Sequence, residues 1–136
     1  MRVLFAALTC VLLSPFGAYG QTPSYRLDAQ QRTVLEIWNL SPDMDCFRSE
    51  LDGSVVAQEF YNRGTIVTGF TVQPPRGTRQ YVNVETKPNE WDRLTTGWVM
   101  QGLEQMTARG SRVRLMVKYC GAAGRVVYLE AIRRLQ

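Results

Sequence analysis

The sequence predicts a mainly β domain with one α-helix, in the α+β class. Apolar and polar residues alternate with period two in several stretches, most clearly at 112–120, which is typical of a half-buried strand. One stretch, 94–109, has helical spacing instead. The Gly-Ala-Ala-Gly segment at 121–124 joins two apolar stretches and indicates a tight hairpin connection.

The start of the chain resembles a secretory signal. Arg2 is a short positive region, 3–13 is apolar, and Ala18-Tyr19-Gly20 has the small residues of a cleavage site. The apolar run is shorter than the roughly 20 residues that span a membrane. We expect a periplasmic or secreted protein cleaved after Gly20, with a flexible segment at 21–32 and one β-rich domain at 33–136.

Cys46 and Cys120 are the cysteines that remain after this cleavage. An even pair in an exported chain predicts a disulfide, which would close a loop of about 75 residues. The alternative is two free thiols, with Cys46 buried and Cys120 exposed at a strand end.

The remaining elements follow from local pattern. The residues at 41–52 are acidic and rich in turn formers, and 54–60 fits either a short helix or an edge strand. Gly69 indicates a bulge, and Thr95 or Thr96 is placed to cap a helix that Gly110 stops. The predicted strands are 33–40, 65–72, 79–86, 112–120 and 125–133, with the helix at 94–109.

Two details of these elements carry expectations about packing. Gly97 and Gly102 each cost about 1 kcal/mol in a helix interior, which close packing of the helix on a sheet would explain. The strand at 125–133 is apolar on both faces, so we expect it to be covered on both sides. Within it, Glu130 is placed to face a basic residue of the partner strand.

The order β-β-β-α-β-β resembles the OB-fold, and the segment at 108–117 (Ala-Arg-Gly-Ser-Arg-Val-Arg-Leu-Met-Val) resembles the way such domains enter their fourth strand. The resemblance implies a five-stranded barrel with its helix between strands three and four. The alternative architecture is an antiparallel sheet with the helix packed on one face. Fold resemblance alone does not establish a function.

Several kinds of chemistry lack the residues they need. The chain has no histidine, which removes Ser-His-Asp and Cys-His catalysis and imidazole metal ligands. It also has no glycine-rich phosphate loop. Carboxylate pairs such as Asp43 with Asp45, or Glu90 with Asp92, are the remaining route to acid–base catalysis. We therefore expect no enzyme, no catalytic residue, no metal and no cofactor.

A basic strand face is the main candidate for a binding site. The alternation places Arg112, Arg114 and Lys118 on the side opposite the apolar face, and Arg79 and Tyr81 lie near a hairpin turn. Basic residues interleaved with aromatic ones are typical of surfaces that hold anionic polymers. The alternative is an ordinary solvated sheet face. The formal net charge of +4, or +3 once Arg2 is removed, is too small to argue for nucleic acid by itself.

These observations predict a small exported, non-catalytic binding module for an anionic ligand. The alternative is a protein-interaction or inhibitor-type module that acts through apolar residues and exposed loops such as 73–78. The partner is accordingly an anionic polymer or a periplasmic protein, and the sequence does not identify which.

Overall fold

The computed structural model describes residues 22–41, 46–62, 64 and 66–135. Within them the chain is mainly β with one α-helix, as predicted. The elements are β1 (Ser24–Leu27), β2 (Val34–Trp38), β3 (Phe47–Tyr61), β4 (Ile66–Gln73), β5 (Gln80–Asn83), α1 (Arg93–Met106), β6 (Arg112–Cys120) and β7 (Val126–Arg134), with short 3-10 turns at Pro88–Glu90 and Ala122–Gly124. The predicted signal peptide at 1–20 lies outside the described residues.

The seven strands of the described residues form one sheet in the order β1-β2-β7-β5-β4-β3-β6, and β6 also pairs with β7. Neighbouring strands are antiparallel except β5 and β7, which are parallel and pair through Asn83 and Tyr128. The pairings therefore link β3, β4, β5, β7 and β6 in a circuit, and β1 and β2 extend the sheet from β7. Helix α1 lies between β5 and β6 in the chain and packs mainly against β2.

The long strand β3 corrects the prediction for 41–60. The sequence predicts an acidic loop followed by a short helix or edge strand, yet Phe47–Tyr61 is one continuous strand. Its first half pairs with β6 and its second half with β4. The segment 54–60 is therefore a strand, one of the two predicted alternatives, and beyond Ser54 it pairs with β4 alone. Glu50, Asp52 and Gly53 are poor strand formers by propensity, but their pairing with β6 outweighs that preference.

A second strand that was not predicted lies in the segment 21–32. Ser24–Leu27 forms β1 and pairs with β2. The ring of Tyr25 stacks on Trp98 of α1 with centroids 6.5 Å apart, which ties this strand to the helix.

Irregularities in the strand pairing explain which residues face the core. The register of β3 against β4 shifts where Glu59 faces Gly69 and Phe60 faces Val67, close to the bulge predicted at Gly69. Because the shift inserts one residue, Val67 and Phe70 are both buried although they lie three residues apart.

A similar register shift corrects the prediction for β7. The register against β6 shifts between Ala131 and Leu129, which leaves Glu130 as the inserted residue. Leu129 and Ile132 therefore both face the core. The strand is not covered on both sides. Before the bulge, every second residue is apolar and faces the core. After the bulge, the core-facing positions are shifted by one residue.

Helix α1 begins at a different cap from the one predicted. Asp92, not a threonine, is the N-cap, and its carboxylate accepts from the backbone N and the Oγ1 of Thr95, each at 2.8 Å. Gly102 lies against β2, since a Cβ there would come within 2.8 Å of the Val34 side chain. This confirms close packing for Gly102, whereas Gly97 is exposed with no neighbour within 4 Å.

The core lies between the inner face of the sheet and α1. Phe70 and Leu115 are fully enclosed there, and the helix contributes Val99, Leu103 and Met106. Cys46 and Cys120 form a disulfide, as predicted, with Cα atoms 5.0 Å apart and a sequence separation of 74. The bond joins the start of β3 to the end of β6. No helix of the described residues is long and apolar enough to cross a membrane.

Candidate functional site

A row of charged residues crosses five neighbouring strands on the face of the sheet that points away from the core. Asp52 of β3 lies opposite Arg114 of β6, which lies opposite Arg133 of β7. Arg133 also lies opposite Glu36 of β2, whose other neighbour is Arg26 of β1. Directly opposite side chains on one face have Cβ atoms about 5 Å apart. We call these five residues the charged row.

Arg114 is neutralised by carboxylates of β3. Its Nε and Nη2 donate to the two oxygens of Asp52 at 2.7 and 2.8 Å, and its Nε also lies 3.0 Å from Oε1 of Glu50. The hydrogen bond from Arg114 lowers the pKa of Asp52, and the positive charges of Arg114 and Arg133 add to the effect. The same hydrogen bond to Asp52 raises the pKa of Arg114. Asp52 and Arg114 therefore form a charged pair at neutral pH.

Arg133 makes no comparable contact. It is half-buried, and its side chain makes no hydrogen bond or ion pair with any residue that the structure describes. Of its cross-strand neighbours, Arg114 carries the same charge, and Glu36 binds Arg26 at 3.4 Å. Like charges directly opposite each other repel. Arg133 is therefore a cation whose donors are available to an anion.

A second row lies two residues further along the same strands and supplies an apolar floor. Met116 of β6 lies between Glu50 of β3 and Ala131 of β7. Two residues along a strand span about 7 Å, so the two rows enclose a shallow depression. This depression has a volume of about 240 Å³. We call it the arginine groove; its walls and floor include Glu36, Glu50, Arg114, Met116, Ala131 and Arg133.

Lys118 does not belong to an exposed basic face. It is 1 % exposed, and its Nζ lies 3.8 Å from Oε1 of Glu130, which Arg48 also contacts at 3.1 Å. Burial therefore separates Lys118 from the basic strand face on which the sequence placed it with Arg112 and Arg114. The bulge at Glu130 places this carboxylate beside the two cations, in line with the predicted contact between Glu130 and a basic residue of β6.

Arg112 lies away from the arginine groove, at the start of β6. It is exposed, and it borders a depression of about 500 Å³ together with Gln73, Pro74 and Pro75 of the turn after β4. Arg79 lies at the other end of that turn, where its Nε donates to Oε1 of Gln73 at 3.3 Å. Arg112 and Arg79 are thus brought to one end of the sheet, separate from Arg114 and Lys118.

Tyr81 has a structural environment. A Cβ at Gly69 would overlap the Tyr81 ring, so the ring covers the glycine on the neighbouring strand. Its hydroxyl donates to Oε2 of Glu59 at 2.7 Å. This hydrogen bond, helped by burial and by the negative charge of Glu59, raises the pKa of Tyr81 to about 12. One face of the ring is therefore already used within the sheet.

An exposed aromatic pair lies beside the disulfide. Phe47 is 72 % exposed, and its ring lies 6.4 Å from that of Tyr119 at a tilt of 40°. Both are next to disulfide cysteines in the chain, and they border an open depression of about 690 Å³ with the 121–124 turn. We call Phe47 and Tyr119 the aromatic pair.

Sequence reasoning placed Arg114 in a site but missed Arg133, Glu36 and Glu50. The missed signal is the alternation in β3, where Arg48, Glu50 and Asp52 occupy every second position. Reading that alternation as a strand would have predicted carboxylates opposite the arginines of β6. Arg133 was hidden by the bulge, which changes the face on which β7 residues lie after Glu130.

Comparisons with known proteins add no family or activity. No protein-family model, curated protein or solved structure matches the chain. Among the described residues, no three His, Cys, Asp or Glu side chains are grouped so as to hold a metal ion. The arrangement that remains is a small groove with one available guanidinium, suited to binding an anionic group.

Proposed function

We propose that the chain is a small exported, non-catalytic binding module whose ligand carries an anionic group held by Arg133 in the arginine groove. The observation that carries this proposal is the Arg114–Arg133 pair, in which only Arg114 has carboxylate partners among the described residues. A half-buried guanidinium has lost part of its hydration, and an incoming carboxylate or phosphate offers it charged hydrogen-bond acceptors.

The proposal includes an OB-like barrel made of β3, β4, β5, β7 and β6. Three features support it: the circuit of strand pairings, the parallel β5–β7 contact, and the position of α1 between the third and fourth of these strands. In this assignment β3 replaces the predicted strand at 33–40 as the first barrel strand. OB-folds commonly bind ligands on strands two and three, here β4 and β5, whereas the arginine groove lies on β3, β6 and β7 with β2 beside them.

The size of the groove also limits the kind of anion that can bind there. Its volume of about 240 Å³ is below the roughly 300–1,000 Å³ of pockets for drug-sized ligands. A single carboxylate or phosphate group on a small molecule fits these dimensions better than a polymer that tracks along a basic surface. The ligand proposed here is therefore small.

The test is binding of small anions to the purified protein with its disulfide intact, measured by calorimetry at low and raised salt. Arg133→Gln is expected to weaken binding at least tenfold, because a hydrogen bond to a charged group contributes about 1.5–3 kcal/mol. Arg93→Gln is the matched control, since Arg93 is exposed on α1 and lies outside the groove. Circular dichroism confirms that both variants fold.

Arg112→Gln separates this site from the end of the sheet where Arg112 and Arg79 meet. Loss of binding in Arg112→Gln, with Arg133→Gln unaffected, would move the site to that end. Retention of full affinity in both variants would refute an arginine-based site on either surface.

A second candidate function is protein interaction through the aromatic pair. The exposure of Phe47 favours it, because large aromatic side chains on a rigid support are common anchors in interfaces. Phe47→Ser is expected to abolish association with a periplasmic partner and to leave small-anion binding unchanged. A protein that co-purifies equally well with Phe47→Ser would count against this function.

A further inference from the structure

We infer that the ligand of the arginine groove is zwitterionic, a free α-amino acid with an apolar side chain. The inference rests on the proposed function, and it adds a cation and an apolar part to the anionic group. Each of the three parts has a matching surface among the groove residues.

Charge around the groove is balanced, which argues against a polyanion. The charged row together with Glu50 comprises three arginines and three carboxylates. Glu36 lies opposite Arg26 and Arg133, and Asp52 and Glu50 both contact Arg114. A ligand with several negative charges gains from Arg133 but is repelled by the neighbouring carboxylates. A ligand of zero net charge, with its two charges separated, matches this pattern.

The cation of such a ligand has acceptors available on both walls. Glu36 contacts Arg26 through Oε2, and Glu50 contacts Arg114 through Oε1. Among the described residues, the other carboxylate oxygen of each glutamate accepts no hydrogen bond. Both side chains are partly exposed, at 34 % for Glu36 and 57 % for Glu50. An ammonium group carries three donors, and one of these oxygens can accept from it while a carboxylate contacts Arg133.

Met116 and Ala131 form the apolar floor between these walls. Met116 is flexible and polarizable, and adapts to apolar groups of different shape. An amino acid with a branched aliphatic side chain would cover this floor.

The experiment compares four probes by calorimetry on the purified, disulfide-bonded protein. L-Leucine has all three parts, N-acetyl-leucine lacks the cation, leucinamide lacks the anion, and glycine lacks the apolar side chain. Leucine is expected to bind at least tenfold more tightly than each of the others. Glu36→Gln is expected to weaken leucine, because it removes an acceptor for the ammonium group, and to strengthen N-acetyl-leucine, because it removes a negative charge beside Arg133. A general loss of structure would weaken both ligands.

The outcomes separate the two proposals. If N-acetyl-leucine binds as tightly as leucine, the zwitterion is refuted and the anion site stands. If leucinamide binds as tightly as leucine, the anion site itself is refuted. If inorganic phosphate or a polyanion binds and leucine does not, the zwitterion inference is refuted and the anion site stands. Absence of binding by every probe, phosphate included, overturns both.

Discussion

Arg114 and Arg133 lie directly opposite each other on β6 and β7, yet Asp52 and Glu50 form ion pairs only with Arg114. Two arginines in this relationship repel each other unless anions compensate them. The third strand, β3, supplies these anions on one side only. This asymmetry makes Arg133 the centre of the proposed site, and it places the compensating carboxylates where they restrict what can bind.

The Asp52–Arg114 pair is expected to make stability depend on acidic pH. The pKa of Asp52 is lower in the folded protein than its ordinary value of about 3.9. The stability that the ionised Asp52 adds is therefore present above that pH, and it is lost as the pH falls through the lower folded value. The urea midpoint of Asp52→Asn should therefore lie below that of the unaltered protein near neutral pH, and the difference should shrink near pH 2. A difference that stays constant between these pH values would contradict the assignment.

Removal of the disulfide is expected to lower stability substantially. The Cys46–Cys120 bond closes a loop with a sequence separation of 74, which the chain-entropy relation converts to roughly 4 kcal/mol. Urea unfolding of the protein and of a Cys46→Ser, Cys120→Ser variant measures the difference. Intact mass should be lower by two hydrogen atoms before reduction than after it, and two alkylatable thiols in the unreduced protein would contradict the bond.

Two glycines of α1 are expected to respond in opposite directions to alanine. Gly102→Ala places a Cβ within 2.8 Å of Val34 and should cost about 1–3 kcal/mol of the free energy of unfolding through overpacking. Gly97→Ala meets no atom within 4 Å and should add up to about 1 kcal/mol through helix propensity. Thermal or urea unfolding measures both variants, and each serves as the control for the other. Equal changes in stability would contradict the close packing of Gly102 on β2.

The Tyr81 hydroxyl is expected to titrate later than an ordinary tyrosine. Its hydrogen bond to Glu59 raises its pKa to about 12, so the stability from this contact is present below about pH 10 and is lost as the pH rises through the folded value. Ultraviolet titration of the protein should show a late phenolate step that disappears in Tyr81→Phe. A titration curve that keeps this step in the variant would assign it to another tyrosine.

Local pattern was sufficient for several parts of the fold. The strands at 65–72 and 112–120, the helix and the disulfide were all predicted from residue spacing, because each depends on periodicity or on a pair of cysteines in an exported chain. The start of β3 was predicted as a loop because Glu50, Asp52 and Gly53 are residue types typical of turns. These three residues pair with β6, whose partner residues lie more than 50 positions away in the chain, so local sequence does not reveal the pairing.

By itself the sequence determined the class of the fold, the joining of Cys46 to Cys120, and the presence of arginines on the outer face of β6. Tertiary structure decided which of these arginines is available. Register placed Asp52 and Glu50 against Arg114, and the bulge at Glu130 brought a carboxylate to the buried Lys118 and turned Arg133 towards Arg114. The physical reason is that charge compensation and burial depend on neighbours across strands, and one inserted residue changes the face of every residue that follows it.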